Sequence, residues 1–195
     1  MINGLNSKTQ VNRVLRTKDV IKAFELNSTQ KKAFEKINAI SITHIIDTST
    51  TSLSATDLVS RIVVYNIVAS EIQYDLLSVI YKNTGGKCIF VVDVNSELQL
   101  IVENYTTNQP IDISINKPND LQHLYSIILS HVLQLRLRDT ESFVQLLDRK
   151  KEIDKLNREI SKIQNKMHSS HQSKTKIALH SQLQITQSQL REKKE

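Results

Sequence analysis

The chain has 195 residues, 39% of them hydrophobic, with three glycines, two prolines, one cysteine and a net charge of +6. Length and composition suit one mixed domain with an appended polar element, and a single cysteine excludes an internal disulfide framework. The start is polar and no apolar run approaches the roughly 20 residues of a membrane span, so a cytoplasmic protein with no membrane partner is expected.

Residues 7–24 read as a helix in which Val11, Val14, Leu15 and Phe24 share part of a face. Asn27-Ser28-Thr29-Gln30 offers an N-cap for a short helix running to Ile37. From Ala39 the period changes: Ile40, Ile42, His44 and Ile46 alternate as in a β-strand. Asp47 to Thr56 is a Ser/Thr-rich loop, expected to be mobile. Arg61 to Ala69 is almost continuously apolar, which predicts a central strand buried on both faces. Ile72, Leu76, Val79 and Ile80 then repeat at helical spacing up to the Gly85-Gly86 stop.

Lys87 to Val94 reads as a second buried strand, parallel to the first because a helix connects them. A turn at Asn95-Ser96 leads into a hairpin partner from Leu98 to Asn104, and Ile111 to Ile115 reads as a final strand. Pro118-Asn119-Asp120 opens a helix to about Arg136, with the stripe Leu121, Leu124, Tyr125, Ile128, Val132 and Leu135. The expectation for residues 1–140 is a mixed α/β domain: a mixed sheet of about five strands with flanking helices.

Residues 141–195 read as an antiparallel helical hairpin, a coiled-coil arm. Leu146, Ile153, Leu156, Ile160, Ile163 and Met167 form one seam, and Leu179, Leu183 and Leu190 form the other. Lys176 and Thr186 fall on seam positions, which suggests a seam completed by a protein partner or a second copy of the chain. These nine apolar residues are therefore the expected partner-binding set.

The charge is segregated along the chain. Residues 1–36 carry 8 Lys/Arg against 3 Asp/Glu, residues 37–140 carry 6 against 10, and residues 141–195 carry 12 against 7. Basic ends around an acidic middle fit either a nucleic-acid surface or a solvated coiled-coil face. Candidate nucleic-acid contacts are Arg13, Arg16, Lys18, Lys150, Lys151, Lys155, Arg158 and Lys162.

No catalytic set emerges. A magnesium nuclease needs carboxylates on adjacent strands with a nearby Lys. Asp47, Asp57, Asp93 and Glu97 are the available acids, but Tyr65-Asn66-Ile67-Val68-Ala69-Ser70 offers neither Glu nor Lys. Gly85-Gly86-Lys87 follows a helix instead of opening one, so it is a turn and no phosphate loop. His168, His171 and His180 lack a closed set of metal ligands, and His123 and His131 flank an apolar helix. Cys88 begins a buried strand and reads as an inert core thiol. No cofactor and no metal are expected.

Several stretches resemble an uncharacterised bacterial family, domain of unknown function 4391. They are Asn27-Ser28-Thr29-Gln30-Lys31-Lys32-Ala33-Phe34, the strands Ile62 to Ile67 and Ile89 to Val94, and Lys151-Glu152-Ile153-Asp154-Lys155-Leu156-Asn157-Arg158-Glu159-Ile160. The resemblance implies a gene beside helicase and DNA methyltransferase genes in restriction-like or anti-phage defence operons. The resulting expectation is a non-enzymatic adaptor that binds a helicase or methyltransferase subunit through its hairpin. A nucleic-acid-binding module and a divergent magnesium nuclease are the alternatives.

Overall fold

In the computed structural model, which describes residues 2–114, 117–170 and 172–195, the elements run in this order. β1 (Ile2–Asn3), a 3-10 turn (Ser7–Thr9) and β2 (Gln10–Val14) precede α1 (Thr17–Ala23) and α2 (Ser28–Phe34). β3 (Ile37–Asp47), β4 (Arg61–Ala69), α3 (Tyr74–Asn83), β5 (Lys87–Val94), β6 (Glu97–Val102), β7 (Tyr105–Thr107) and β8 (Ile111–Asp112) follow. α4 (Leu121–Leu133), α5 (Phe143–Ser169) and α6 (Ser173–Lys194) complete the described chain. It divides into two compact units, Met1–Gln134 and Leu135–Glu195.

The first unit is built around β4, whose side chains are buried on both faces. β4 pairs in parallel with β5 across α3, and antiparallel with β3. Among the described residues the sheet has six strands in the order β2-β3-β4-β5-β6-β7. Val63, Tyr65, Ile67, Phe90 and Val92 face a core shared with Val20 of α1, Phe34 of α2, and Leu76 and Ile80 of α3. The alternate residues Ile62, Val64, Ile89, Leu100 and Val102 are equally buried. Over β4, β6 and β7 lies α4, of which Leu121, Tyr125, Ile128 and Leu129 are inaccessible to solvent. Alternation along each strand thus feeds two apolar layers, which is why a nearly unbroken apolar run is needed at β4 and β5.

Local chemistry sets the boundaries. Asn27 caps α2 in a reciprocal capping box with Gln30. The Asn95-Ser96 turn has positive φ at both residues, 53° and 70°, the geometry a two-residue hairpin requires. Gly85 lies at φ 67° after α3. A Cβ on Gly86 would sit 2.9 Å from the Arg61 carbonyl oxygen, so only glycine lets β5 start beside β4.

Three expectations are corrected. Residues 7–24 are not one helix: Gln10–Val14 is the edge strand β2, with Arg13 opposite Ile42 and Val14 opposite Ser41. All five of its residues are exposed, so its apolar positions carried no periodic signal and the free edge of β3 decided its conformation. The hairpin partner of β5 ends at Val102, and the Glu103-Asn104 turn returns the chain as β7, a strand not foreseen. The expected final strand is limited to β8, which pairs in parallel with β1 outside the main sheet; its predicted end, Ile115, lies outside the described residues. The Ser/Thr tract after β3 is held at its start, where the Asp47 carboxylate accepts hydrogen bonds from the Ser49 amide and hydroxyl and from the Thr50 amide.

His44 on β3 generates a stability prediction. Its Nδ1 is buried without a hydrogen-bond partner among the described residues, and burial holds its pKa below 6.5. The unfolded chain therefore binds the proton more readily than the folded one, and stability present above about pH 6.5 is lost as pH falls below it. His44→Gln should flatten the fall in melting temperature between pH 7.5 and 5.5, measured by circular dichroism. An unchanged pH profile would show that His44 carries none of that dependence.

Candidate functional site

At one end of the main sheet a polar cluster joins the two helical layers. Lys87 starts β5, and Glu103 sits in the β6–β7 turn with φ 55°. The Glu103 Oε1 accepts from Lys87 Nζ at 3.0 Å, from the Tyr125 hydroxyl at 2.8 Å and from the Tyr81 hydroxyl at 3.2 Å. Lys87 Nζ also donates to the Tyr81 hydroxyl oxygen at 2.8 Å. Burial works against the Lys87 ammonium, but the Tyr81 hydrogen bond and the Glu103 charge outweigh it and hold its pKa above the ordinary value. Burial pushes the Tyr125 phenol well above its usual range. The cluster is a satisfied structural network: it gives the inaccessible Tyr125 hydroxyl its acceptor and the half-buried Lys87 its counter-ion. A small cavity of about 160 Å³ opens beside it, lined by Tyr81, Phe90, Ile101 and Glu103 among others.

The nuclease candidates do not converge. Asp47 ends β3 opposite Arg61, and its carboxylate pairs with the Arg61 guanidinium at 3.3 Å. Asp93 lies opposite Val68, seven residues further along β4. At about 3.3 Å per residue the two acids are separated by roughly 23 Å of strand, too far to share a metal ion. Asp93 instead accepts from the Ser96 amide within its turn, and Asp57 and Glu97 are exposed. Cys88 is inaccessible, and burial pushes its thiol up to about 11, the opposite of an activated nucleophile. Among the described residues no group of three His, Cys, Asp or Glu could hold a metal, and no helix is long and apolar enough to cross a membrane. His171 lies outside the described residues.

The second unit is the helical hairpin. α5 and α6 pack on each other. Leu146, Ile153 and Ile163 are buried, while Leu156, Ile160, Met167, Leu179, Leu183 and Leu190 are half-buried. The reading of an imperfect seam is corrected for Lys176, and for Thr186 only in its consequence. Thr186 is buried, but its hydroxyl donates to the Gln182 carbonyl oxygen one turn back, so it needs no outside partner. Lys176 is exposed.

The seam has a polar residue that the heptad count passed over. Arg149 sits between Leu146 and Ile153 in the same three–four rhythm and is 5% exposed. Its guanidinium forks onto Glu141, with Nε–Oε1 and Nη2–Oε2 both 2.7 Å. Nη2 also donates to the Arg136 carbonyl oxygen at 2.6 Å, and Nη1 to the Lys193 carbonyl oxygen at 3.1 Å. Arg138 donates to the Glu192 carbonyl oxygen at 2.9 Å. Two cations therefore satisfy the last carbonyls of α6, where the helix dipole is negative. Burial raises the Glu141 carboxyl, but the Arg149 and Arg138 hydrogen bonds outweigh it and hold its pKa below the usual value.

Charge along this unit is divided by position. At its base, Lys150 pairs with Asp154, Lys151 with Asp148 and Lys193 with Glu152. Residues 155–190 carry six cations, Lys155, Arg158, Lys162, Lys166, Lys174 and Lys176, against one acid, Glu159. None of the six takes part in a salt bridge among the described residues. Lys155, Arg158, Lys162 and Lys166 follow one face of α5 and, with Gln182 of α6, line an open groove of about 580 Å³. Of the expected nucleic-acid contacts, Lys155, Arg158 and Lys162 belong to this face, joined by Lys166, which the sequence reading left out. Lys150 and Lys151 are tied to acids, while Arg13, Arg16 and Lys18 are exposed on β2 and at the start of α1.

The Arg149 network generates a second prediction. Arg149→Ala leaves the Glu141 carboxylate buried and unpaired, which should cost about 3–5 kcal/mol. Arg149→Met with Glu141→Leu should cost much less. Thermal unfolding gives the stabilities, and hydrogen exchange of residues 190–194 should accelerate in both variants because the α6 carbonyls lose Arg149. Equal costs for the two variants would contradict a buried ion pair at the base of the arm.

Comparison with protein families, with characterised proteins and with solved structures gives no match for this chain.

Proposed function

We propose that the protein is a non-enzymatic nucleic-acid-binding module whose helical arm carries the contact surface. The observation that supports this reading is the division of charge along the arm. The base is close to neutral and salt-bridged, whereas residues 155–190 hold six cations and one acid with no salt bridge among the described residues. A solvated coiled-coil face would mix its signs throughout, as the base does. Unpaired Lys and Arg on a rigid helix offer point charges for phosphate oxygens, and releasing counterions from the phosphates supplies the free energy of binding.

Exposed Ile177 and Ile185 on α6, 70% and 62% accessible, favour a second reading. In it the arm docks a protein, such as the helicase or DNA methyltransferase subunit implied by the family resemblance, and the chain is an adaptor. Ile177→Asp with Ile185→Asp should then abolish co-purification with that subunit while leaving nucleic-acid affinity within about threefold.

For the first reading, the full chain titrated with labelled nucleic acid should bind at 50 mM salt and weaken steeply by 200 mM. Replacing Lys155, Arg158, Lys162 and Lys166 together by Ala should reduce affinity at least tenfold with helix content unchanged by circular dichroism. No binding by the unaltered chain at 50 mM salt would remove the reading.

A further inference from the structure

We infer that the arm, if it binds nucleic acid as proposed above, takes duplex and reads only its phosphates, without preference for base sequence. This rests on the arm's role in that reading and adds the class of nucleic acid and the mode of contact.

The first observation is chemical. Proteins that hold single strands without sequence preference combine a basic groove with aromatic rings on which bases stack, at about 1–3 kcal/mol per base. From Val144 to Glu195 the chain contains no Phe, Tyr or Trp. The basic face of α5 therefore has no Phe, Tyr or Trp for a base to stack on, and a single strand would gain mainly from its charges. A duplex carries about one charge per 1.7 Å of axis, twice the density of one strand. A purely electrostatic surface gains more from it.

The second observation is geometric. Lys155, Arg158, Lys162 and Lys166 span 12 residues of one helix, about 16 Å from first to last at 1.5 Å rise per residue. They are fixed in a row by α5, which is packed through Ile153 and Ile163. A row whose spacing is set by one helix suits a lattice of phosphates that is itself rigid. A flexible strand would lose chain entropy to match it.

The third observation concerns the residues that read bases. Base edges are distinguished chiefly by planar Arg, Asn or Gln side chains, and by Lys on guanine, entering a groove. The row has one Arg, and its Nε already donates to the Asp154 carbonyl oxygen at 3.2 Å. The other three cations are lysines, flexible point charges suited to phosphate, and the carboxamide in the groove, Gln182, belongs to α6 and lies off the row. Glu159 lies within the row and lines the same groove, so it weakens the surface for any polyanion.

Fluorescence anisotropy with the full chain tests this, using 20-base-pair DNA duplexes of three unrelated sequences and the corresponding single strands. Duplex affinities should agree within about threefold and exceed single-strand affinities at least fivefold. The slope of log K against log salt should be about −3.6 for four phosphate contacts. Lys162→Ala should make it shallower by about one, and Glu159→Lys should steepen it by about one and tighten binding. Single strands binding as tightly as duplex, or one sequence preferred tenfold, would overturn this inference while leaving nucleic-acid binding intact. Tightening by Glu159→Lys cannot arise from a structural role of that residue alone, and its absence would also count against the row. No binding of any probe at 50 mM salt would remove both this inference and the proposed function.

Discussion

The first unit depends on one constraint: β4 and β5 are apolar on both faces, so both faces of the sheet must be covered. α1, α2 and α3 supply one cover and α4 the other. Each cover buries side chains worth roughly 1.5–3 kcal/mol apiece relative to exposure. The constraint also produces the polar cluster at the end of the sheet. Tyr81 comes from α3 and Tyr125 from α4, and both hydroxyls reach the same Glu103 oxygen. Two layers that cannot touch through the sheet are joined around its end by one carboxylate. Its φ of 55° is the strain accepted at that turn.

The arm follows a different logic. Its apolar seam is narrow, so its stability has to come from the whole length of α5 and α6 together with the charged closure at the base. Arg149 and Glu141 form that closure, and they are among the most buried charged groups described. Such a pair contributes less than its contacts suggest, because desolvation offsets the attraction; its clearer consequence is to define where α6 ends. With acids and cations matched at the base, the remaining positive charge falls on the distal half. Stability and binding are thus assigned to different ends of the same hairpin.

Much of this was legible in residue order. The alternation in β3, the continuous run of β4, the Asn27 cap, the Asn95-Ser96 turn and the heptads of α5 are local patterns whose physical causes lie within a few residues. β2 was not legible, because an exposed edge strand has no buried face to impose a period. The Glu103 cluster was not legible either: Tyr81, Lys87, Glu103 and Tyr125 span 45 residues, and no short motif links them. Arg149 could have been found, since it falls on the three–four rhythm at a position where only apolar residues were sought.

The sequence by itself determined the class of fold, the parallel pairing implied by the β4–α3–β5 unit, and the net positive charge of the arm. These follow from periodicity, connection length and composition, which are properties of the chain in order. Only the tertiary structure decided that Lys193 of α6 meets Glu152 of α5, and which of the pairs offered by helical spacing actually form. Helical spacing offers Lys150–Asp154 and Lys151–Asp148 and equally Lys155–Glu159, yet among the described residues only the first two form, and Lys155, Arg158, Lys162 and Lys166 line a groove without ion pairs. An ion pair depends on which side chains share a face and how far they reach, and a census of charges along the chain cannot contain that.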